Sequence, residues 1–282
     1  RPPLEARPRQ LSVTQVETWM RDPYAIYARH ILRLRELPEL DAPPDRADYG
    51  TIIHGILDKF TAAHPAQLAV GALDELLEMG RQEFGRMLAQ PGIWAFWWPK
   101  FERIAAWFVE TEAARRTGIE RIHSETKGTL RLEGPCGTFT LTAIADRIEI
   151  LSGGGIGIGD YKTGAVPSAK EVAAGFSPQL PLEAAIAVAG GFDGIEAGEV
   201  TALDYWRLTG TEPAGQVRSA GGDAGELADE AHEGLLELIT RFDDPATPYE
   251  ARPRPAQAPR YSAYEHLARI KEWTAADGGE DA

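Results

Sequence analysis

Cysteine is almost missing from this 282-residue chain: Cys136 is the only one. A lone thiol excludes an intramolecular disulfide, and equally a zinc site or four-thiolate cluster built from the chain's own cysteines. Cys136 lies in Gly134-Pro135-Cys136-Gly137, where a small turn residue is the simplest reading. Positive charge is also scarce. There are 29 Lys and Arg against 43 Asp and Glu, a formal net charge of −14. That balance argues against a general electrostatic grip on duplex nucleic acid. The acidity gathers at 223–244 and at the C-terminal tail, which read as solvated faces. No apolar run approaches the roughly 20 residues of a membrane helix, so no membrane partner is expected. A cytoplasmic setting is expected. The chain opens on Arg1-Pro2-Pro3 without Met or signal peptide. It is therefore expected to be a domain cut from a longer protein, with residues 1–10 as linker and 277–282 as a disordered tail.

What is present is apolar patterning. Hydrophobic residues make up 43% of the chain, enough for a sizeable core in one long domain. Ser12 followed by Gln15 reads as a capping box, with Leu11 and Val16 as a hydrophobic staple, starting a helix to about Arg21. Pro23 suits the first turn of a second helix through Leu34. Residues 36–46, with three prolines, read as a loop. Tyr49, Ile52, Ile53, Ile56, Leu57 and Phe60 have helical spacing, which puts His54 beside a buried stripe. Residues 68–88 are helical again. From Trp94 to Phe108 the aromatic spacing predicts a core-facing stripe, with Pro99 opening the later helix. Residues 126–133, 138–150 and 156–161 alternate or run apolar between glycines and predict three strands of one sheet. Gln179 opens a helix through Val188, and 200–208 is a further strand. Residues 221–242 form an acidic amphipathic helix, 245–259 a proline-rich connector and 261–273 a closing helix. The fold class expected is α/β, a central mixed sheet flanked by helices.

The chemistry centres on Asp160-Tyr161-Lys162-Thr163-Gly164. On a strand, Asp160 and Lys162 project from one face. Asp146 stands fourteen positions upstream, and Ser152-Gly153-Gly154-Gly155 between them has tight-turn composition. A hairpin through that turn sets the two carboxylates side by side. Paired carboxylates hold a hard cation through oxygen, and a nearby lysine steadies negative charge. The backbone carbonyl of Tyr161 is within reach of such a cation. Gln179 and Glu183, four apart, share one helix face. A glycine run can also mark a phosphate loop, but no Lys-Ser/Thr helix follows it.

In order, Gly50-Thr51-Ile52-Ile53-His54, Glu125, Asp146-Arg147-Ile148, Asp160-Tyr161-Lys162 and Gln179 resemble the RecB-like branch of the PD-(D/E)xK nuclease superfamily. The flanks Leu11–Trp19 and Tyr261–Arg269 look like those of AddB-type nuclease domains, subunits of bacterial helicase–nucleases that process double-strand breaks. The resemblance implies a restriction-endonuclease-like core with a helical N-terminal flank, over residues 11–276. It implies a Mg²⁺- or Mn²⁺-dependent DNA exonuclease. Its metal ligands would be His54, Asp146, Asp160 and the Tyr161 carbonyl. Lys162, Gln179 and an auxiliary Glu125 would join Asp146 and Asp160 in catalysis. It also implies DNA and an AddA-like helicase subunit as partners. Two departures stand out. Glu183 occupies the position of the family's tyrosine. The cysteines that hold an iron–sulfur cluster in many AddB-type domains are absent, with Asp22 where the first would stand. No iron–sulfur cluster is expected. Packing of Trp19, Tyr24 and Tyr27 on Tyr261, Tyr264 and Leu267 is expected in its place, with Asp22 paired to Arg260 or Arg269. The rival reading is a silent nuclease fold that only docks to a helicase.

Overall fold

A computed structural model describes residues 1–37, 44–85, 91–259, 261–270 and 272. The chain begins with β1 (Gln10–Ser12), α1 (Val13–Arg21) and α2 (Pro23–Ile26), whose last turn widens into a π-helical turn at Tyr27–Ile31. Three helices follow: α3 (Arg46–Ala63), α4 (Ala72–Gly85) and α5 (Pro91–Arg115). A long hairpin, β2 (Ile119–Gly134) and β3 (Gly137–Leu151), leads into β4 (Ile156–Lys162). Next come α6 (Ala169–Ala173), α7 (Gln179–Val188), β5 (Val200–Leu208), β6 (Gly215–Ser219) and α8 (Ala224–Asp243).

Local chemistry accounts for many of these boundaries. Ser12 Oγ accepts from Gln15 N at 3.2 Å while Gln15 Oε1 accepts from Ser12 N at 3.0 Å, the reciprocal cap read from the sequence. Asp45 with Asp48, and Ser168 with Glu171, cap α3 and α6 in the same way. At the other end of the scale, α7 is mostly apolar and is buried from Leu180 to Ala187, Glu183 included. Gly221 and Gly222 both have positive φ, so the chain turns there before α8 begins at Ala224.

The six strands form one mixed sheet. β3 is its spine. β2 pairs antiparallel along one edge of it, from Ile119↔Leu151 to Gly134↔Gly137. The other edge is shared. β1 runs parallel to β3 at Gln10↔Thr140 through Ser12↔Thr142, and β4 runs antiparallel at Arg147↔Gly159 through Ile150↔Ile156. The C-terminal ends of β1 and β4 therefore converge on residues 143–146, the stretch left unpaired on that edge. β5 pairs parallel with β4, and β6 antiparallel with β5. One core packs α1, α7 and α8 on residues such as Leu141, Ile158 and Leu203. A second packs α3, α4 and α5 on Tyr161, Trp206 and Leu208. The mixed α/β architecture with helices on both sides is as expected.

Several expected boundaries differ. Pro99 lies inside one 25-residue helix and does not open a new one. Trp94 stacks on Trp98 at 4.7 Å, and Phe84 packs on Trp98 and Phe101, so aromatic packing holds the helix through the break. β2 begins at Ile119, seven residues early, because Ile119 and Ile122 are its buried contacts there. The helix from Pro23 ends at Ile31, and Arg33 takes a positive φ. Residues 263–269 form turns, not a continuous closing helix. Arg260, Leu88 and the tail 277–282 fall outside the described residues.

The flank contact also departs from expectation. Tyr27 packs on Tyr249, and Trp19 on Phe139 and Phe242. Tyr261 is 69% exposed, its hydroxyl bonded to Glu36, and the Tyr264 hydroxyl donates to Leu34 O at 2.9 Å. Asp22 pairs with no arginine among the described residues. It is buried and accepts from Ser262 Oγ at 2.8 Å, while Arg269 bonds Glu272.

Candidate active site

Asp146 lies in the gap between β1 and β4, and the register that pairs Arg147 with Gly159 sets Asp160 opposite it. Tyr161 N donates to Asp146 Oδ2 at 2.8 Å, which fixes the carboxylate against the end of β4. His54 reaches the same place from α3, its Nδ1 3.4 Å from Asp146 Oδ2 and its ring edge-on to Tyr161. A Cβ at Gly50 would come within 3.0 Å of Thr163 Oγ1, so α3 passes the end of β4 closely there. Burial alone would lower the pKa of His54. The hydrogen bond and charge of Asp146, then the charge of Asp160, outweigh it and hold the ring above its usual value.

Glu125 stands opposite Asp146 across the hairpin, between the pairs Ser124↔Arg147 and Thr126↔Ala145. It has φ +45°, left-handed backbone in the middle of a strand. Such a residue persists only where its surroundings over-determine it, and strain of this kind collects at functional sites. Ligand atoms of His54, Glu125 and Asp146 all lie within 4.8 Å of one another. Asp58, one turn after His54 on α3, accepts from Ser124 Oγ at 2.6 Å and ties that helix to β2 beside Glu125. Asp58 and Ser124 were not among the residues the sequence pointed to. The i, i+4 spacing of His54 and Asp58 was the available signal.

Asp160 is held differently. Lys162 Nζ lies 2.7 and 2.8 Å from its two oxygens, and Gln179 Nε2 donates to Oδ1 at 2.8 Å. The amide oxygen of Gln179 accepts from Lys162 Nζ at 3.2 Å, closing a three-membered ring of contacts. Burial pushes Asp160 up to about 6, against the lowering effect of Lys162, with Asp146 adding to the rise. For Lys162, burial lowers the pKa, but Asp160 outweighs it and the ammonium is kept. Glu183, 1% exposed, accepts from Gln179 Nε2 at 3.3 Å, and burial raises its pKa well above the carboxylate range. It stands where the resemblance led one to expect a tyrosine. The tight set around the imidazole is thus His54, Glu125 and Asp146, while Asp160 is engaged by Lys162 and Gln179.

On the other side of these strands lies a second charged group. Arg147, fully buried, pairs with Glu112 at 2.8 Å and Glu149 at 2.6 Å and lies over the Trp206 ring. Arg116 joins Glu112, and Arg115 joins Glu149 and Asp204. Three guanidiniums meet three carboxylates, so this group is balanced within itself and braces β3, β4 and β5 from behind.

Comparison with known proteins places this geometry in context. An uncharacterized protein of Rickettsia bellii (strain RML369-C) is 31% identical over 248 residues, 83% of this chain and 30% of that protein. The uncharacterized protein RC0550 of Rickettsia conorii (strain ATCC VR-613 / Malish 7) is 34% identical over 189 residues, covering 66% of this chain and 23% of the relative. The chain thus spans less than a third of the relatives it matches. The crystal structure of SSO0001 aligns over 81% of this chain and 76% of that one, with TM-score 0.33 and 8% identity, a likeness too slight to argue from. Residues 10–263 match the family model described as the PD-(D/E)XK nuclease superfamily. With its mixed sheet and carboxylate–lysine site, the chain belongs to the PD-(D/E)XK nuclease superfamily.

Proposed function

We propose that this chain is the nuclease domain of an AddB-type subunit, cutting DNA with Mg²⁺ or Mn²⁺ alongside an AddA-like helicase during double-strand break repair. The observation that carries the reading is the meeting of Asp146, Asp160 and Lys162 in one cavity with His54. The donor set suits a hard divalent cation: carboxylate oxygens, one imidazole and no thiolate. His54, Asp146 and Glu125 would hold it, with Asp160 and the Tyr161 carbonyl completing the shell. When bound, the cation supplies Lewis-acid polarisation of the phosphoryl oxygen and a more acidic water.

The chain's own residues do the rest. Lys162 keeps its proton, so it donates to the attacking oxygen or the developing phosphorane charge and is not a base. Gln179 fixes the lysine by accepting from Nζ, and fixes Asp160 by donating to Oδ1. Tyr161 N orients Asp146. The test is release of acid-soluble nucleotides from linear DNA with Mg²⁺, with Mn²⁺ and with EDTA. Release that EDTA abolishes supports the reading. No release with either cation, for this chain or for the chain joined to a helicase subunit, leaves the silent docking fold.

A further inference from the structure

The distal half of the β2–β3 hairpin is buried on one side only. Phe139, Leu141, Ala143 and Ala145 turn into the core. Strand alternation puts Thr140, Thr142 and Ile144 on the opposite side, in line with Asp146. The register sets Arg131, Thr129 and Lys127 of β2 directly beside them, and Gln10 and Ser12 of β1 on the other flank. The result is an open floor three strands wide, about 10 Å across, running about 20 Å from Asp146 to Thr140. A cavity of about 630 Å³ joins its near part to Asp160, Lys162 and Gln179 without a break.

The chemistry of this floor is the reverse of the chain's. In a protein of net charge −14 it carries no carboxylate between Glu125 and Glu133. Among the described residues neither Lys127 nor Arg131 has a carboxylate partner. Both are exposed, with threonine and glutamine side chains between and beside them. Exposed cations left unpaired in an acidic protein, next to hydroxyls and an amide, fit a row of phosphate oxygens. Among the described residues of β1, β2 and β3, the open side carries no aromatic ring, since Phe139 turns into the core, so bases have nothing to stack on there.

We propose that this floor is a track for the sugar–phosphate backbone of a single nucleic-acid strand leading into the cavity, with Lys127 and Arg131 as its phosphate-binding cations. The inference rests on the nuclease reading and specifies its substrate: one strand, gripped without regard to sequence. The narrow width matches one backbone and not a duplex. Lys127 is beside the cavity at Ile144, and Arg131 lies two pleats further out at Thr140.

The test uses this chain and a fluorescent 20-nucleotide single strand, with Ca²⁺ replacing Mg²⁺, followed by anisotropy over a salt series. The double variant Lys127→Glu/Arg131→Glu should bind at least tenfold more weakly. The slope of log affinity against log salt should shrink by about 0.7 for each phosphate no longer neutralised. Lys127→Gln/Arg131→Gln should show a smaller loss in the same direction, and Arg218→Glu on the far edge strand should change nothing. Cleavage of bis(p-nitrophenyl) phosphate should match wild type in Arg218→Glu. Binding unaffected by the reversal, or a blunt duplex held as tightly as the single strand, would overturn the proposal. A wild type that cleaves neither substrate defeats the nuclease reading, and the anisotropy still decides the track.

Discussion

Lys162 holds both oxygens of Asp160, with Nζ 2.7 Å from Oδ2 and 2.8 Å from Oδ1. Lys162 favours the charged form of Asp160 and Asp160 that of Lys162, inside a partly closed cavity. Lys162 itself offers no ligand to a cation, so its part in charge stabilisation is separable from metal binding. Lys162→Ala should lose cleavage by about 10²-fold or more while retaining divalent-cation binding by titration calorimetry. Cleavage at the wild-type rate would remove Lys162 from the site.

Asp160 also opposes folding. Its carboxyl titrates at about 6 in the folded state, above the ordinary aspartate value of 3.8, because it is buried. A raised acid binds protons more readily when folded, so metal-free stability falls as pH climbs from about 4 through 6. Asp160→Asn should abolish cleavage and yet raise the metal-free melting temperature at pH 7, a gain of about 1–3 kcal/mol. The gain should vanish at about pH 4. An unfolded or less stable variant at pH 7 contradicts this account.

His54 sets a pH dependence of opposite kind. Its pKa is raised by Asp146, so the protonated pair stabilises the metal-free fold at acid pH, and that contribution is lost as pH rises through the raised value. A cation must displace that proton. Divalent affinity should climb with pH across the same window, with uptake accompanied by proton release. His54→Ala should flatten the profile. Calorimetry in buffers of differing ionisation enthalpy reads both.

Glu125 holds its carboxylate beside Asp146 at the cost of left-handed backbone, about 1–2 kcal/mol for an L-residue. Glu125→Gly relieves that strain and removes the ligand. Cation affinity should fall while the melting temperature stays level or rises. A large loss of stability instead would make Glu125 a structural residue.

At the flanks, Ser262 Oγ donates to the buried carboxylate of Asp22. Ser262→Ala leaves that carboxylate without its partner and should lower stability by about 1.5–3 kcal/mol. Adding Asp22→Ala should not lower it further. The purified protein should be colourless and free of stoichiometric iron, since four thiolates cannot come from one cysteine. Brown protein with stoichiometric iron would overturn this.

The parts of the site legible in the sequence are those with a strong local signal. The glycine turn at 152–155 and the period-two runs around it specify β3 and β4, so Asp146, Asp160 and Lys162 could be placed together. The apolar stripe of α3 placed His54. β1 was hidden because three residues give no period, and Leu11 served equally well as a helix staple. β6 is short and mostly exposed, with little apolar contrast to read. The Ser124–Asp58 tie is tertiary, created only when α3 meets β2, and the positive φ of Glu125 has no signature in the residue type. The spacing of Gln179 and Glu183 puts them on one helix face, but the burial of Glu183 depends on α7 being covered on every side.

The head-on arrangement of β1 and β4 also bears on when the site comes into being. The β2–β3 hairpin is local and can form early, but Ser12 pairs with Thr142, so β1 must wait for a partner far along the chain. Closing so long a loop is entropically costly, and such contacts come late in folding. During synthesis, the segment that completes the phosphate floor emerges first and docks after the hairpin has formed. A nascent chain can therefore carry its acidic residues well before it has a cavity in which to use them.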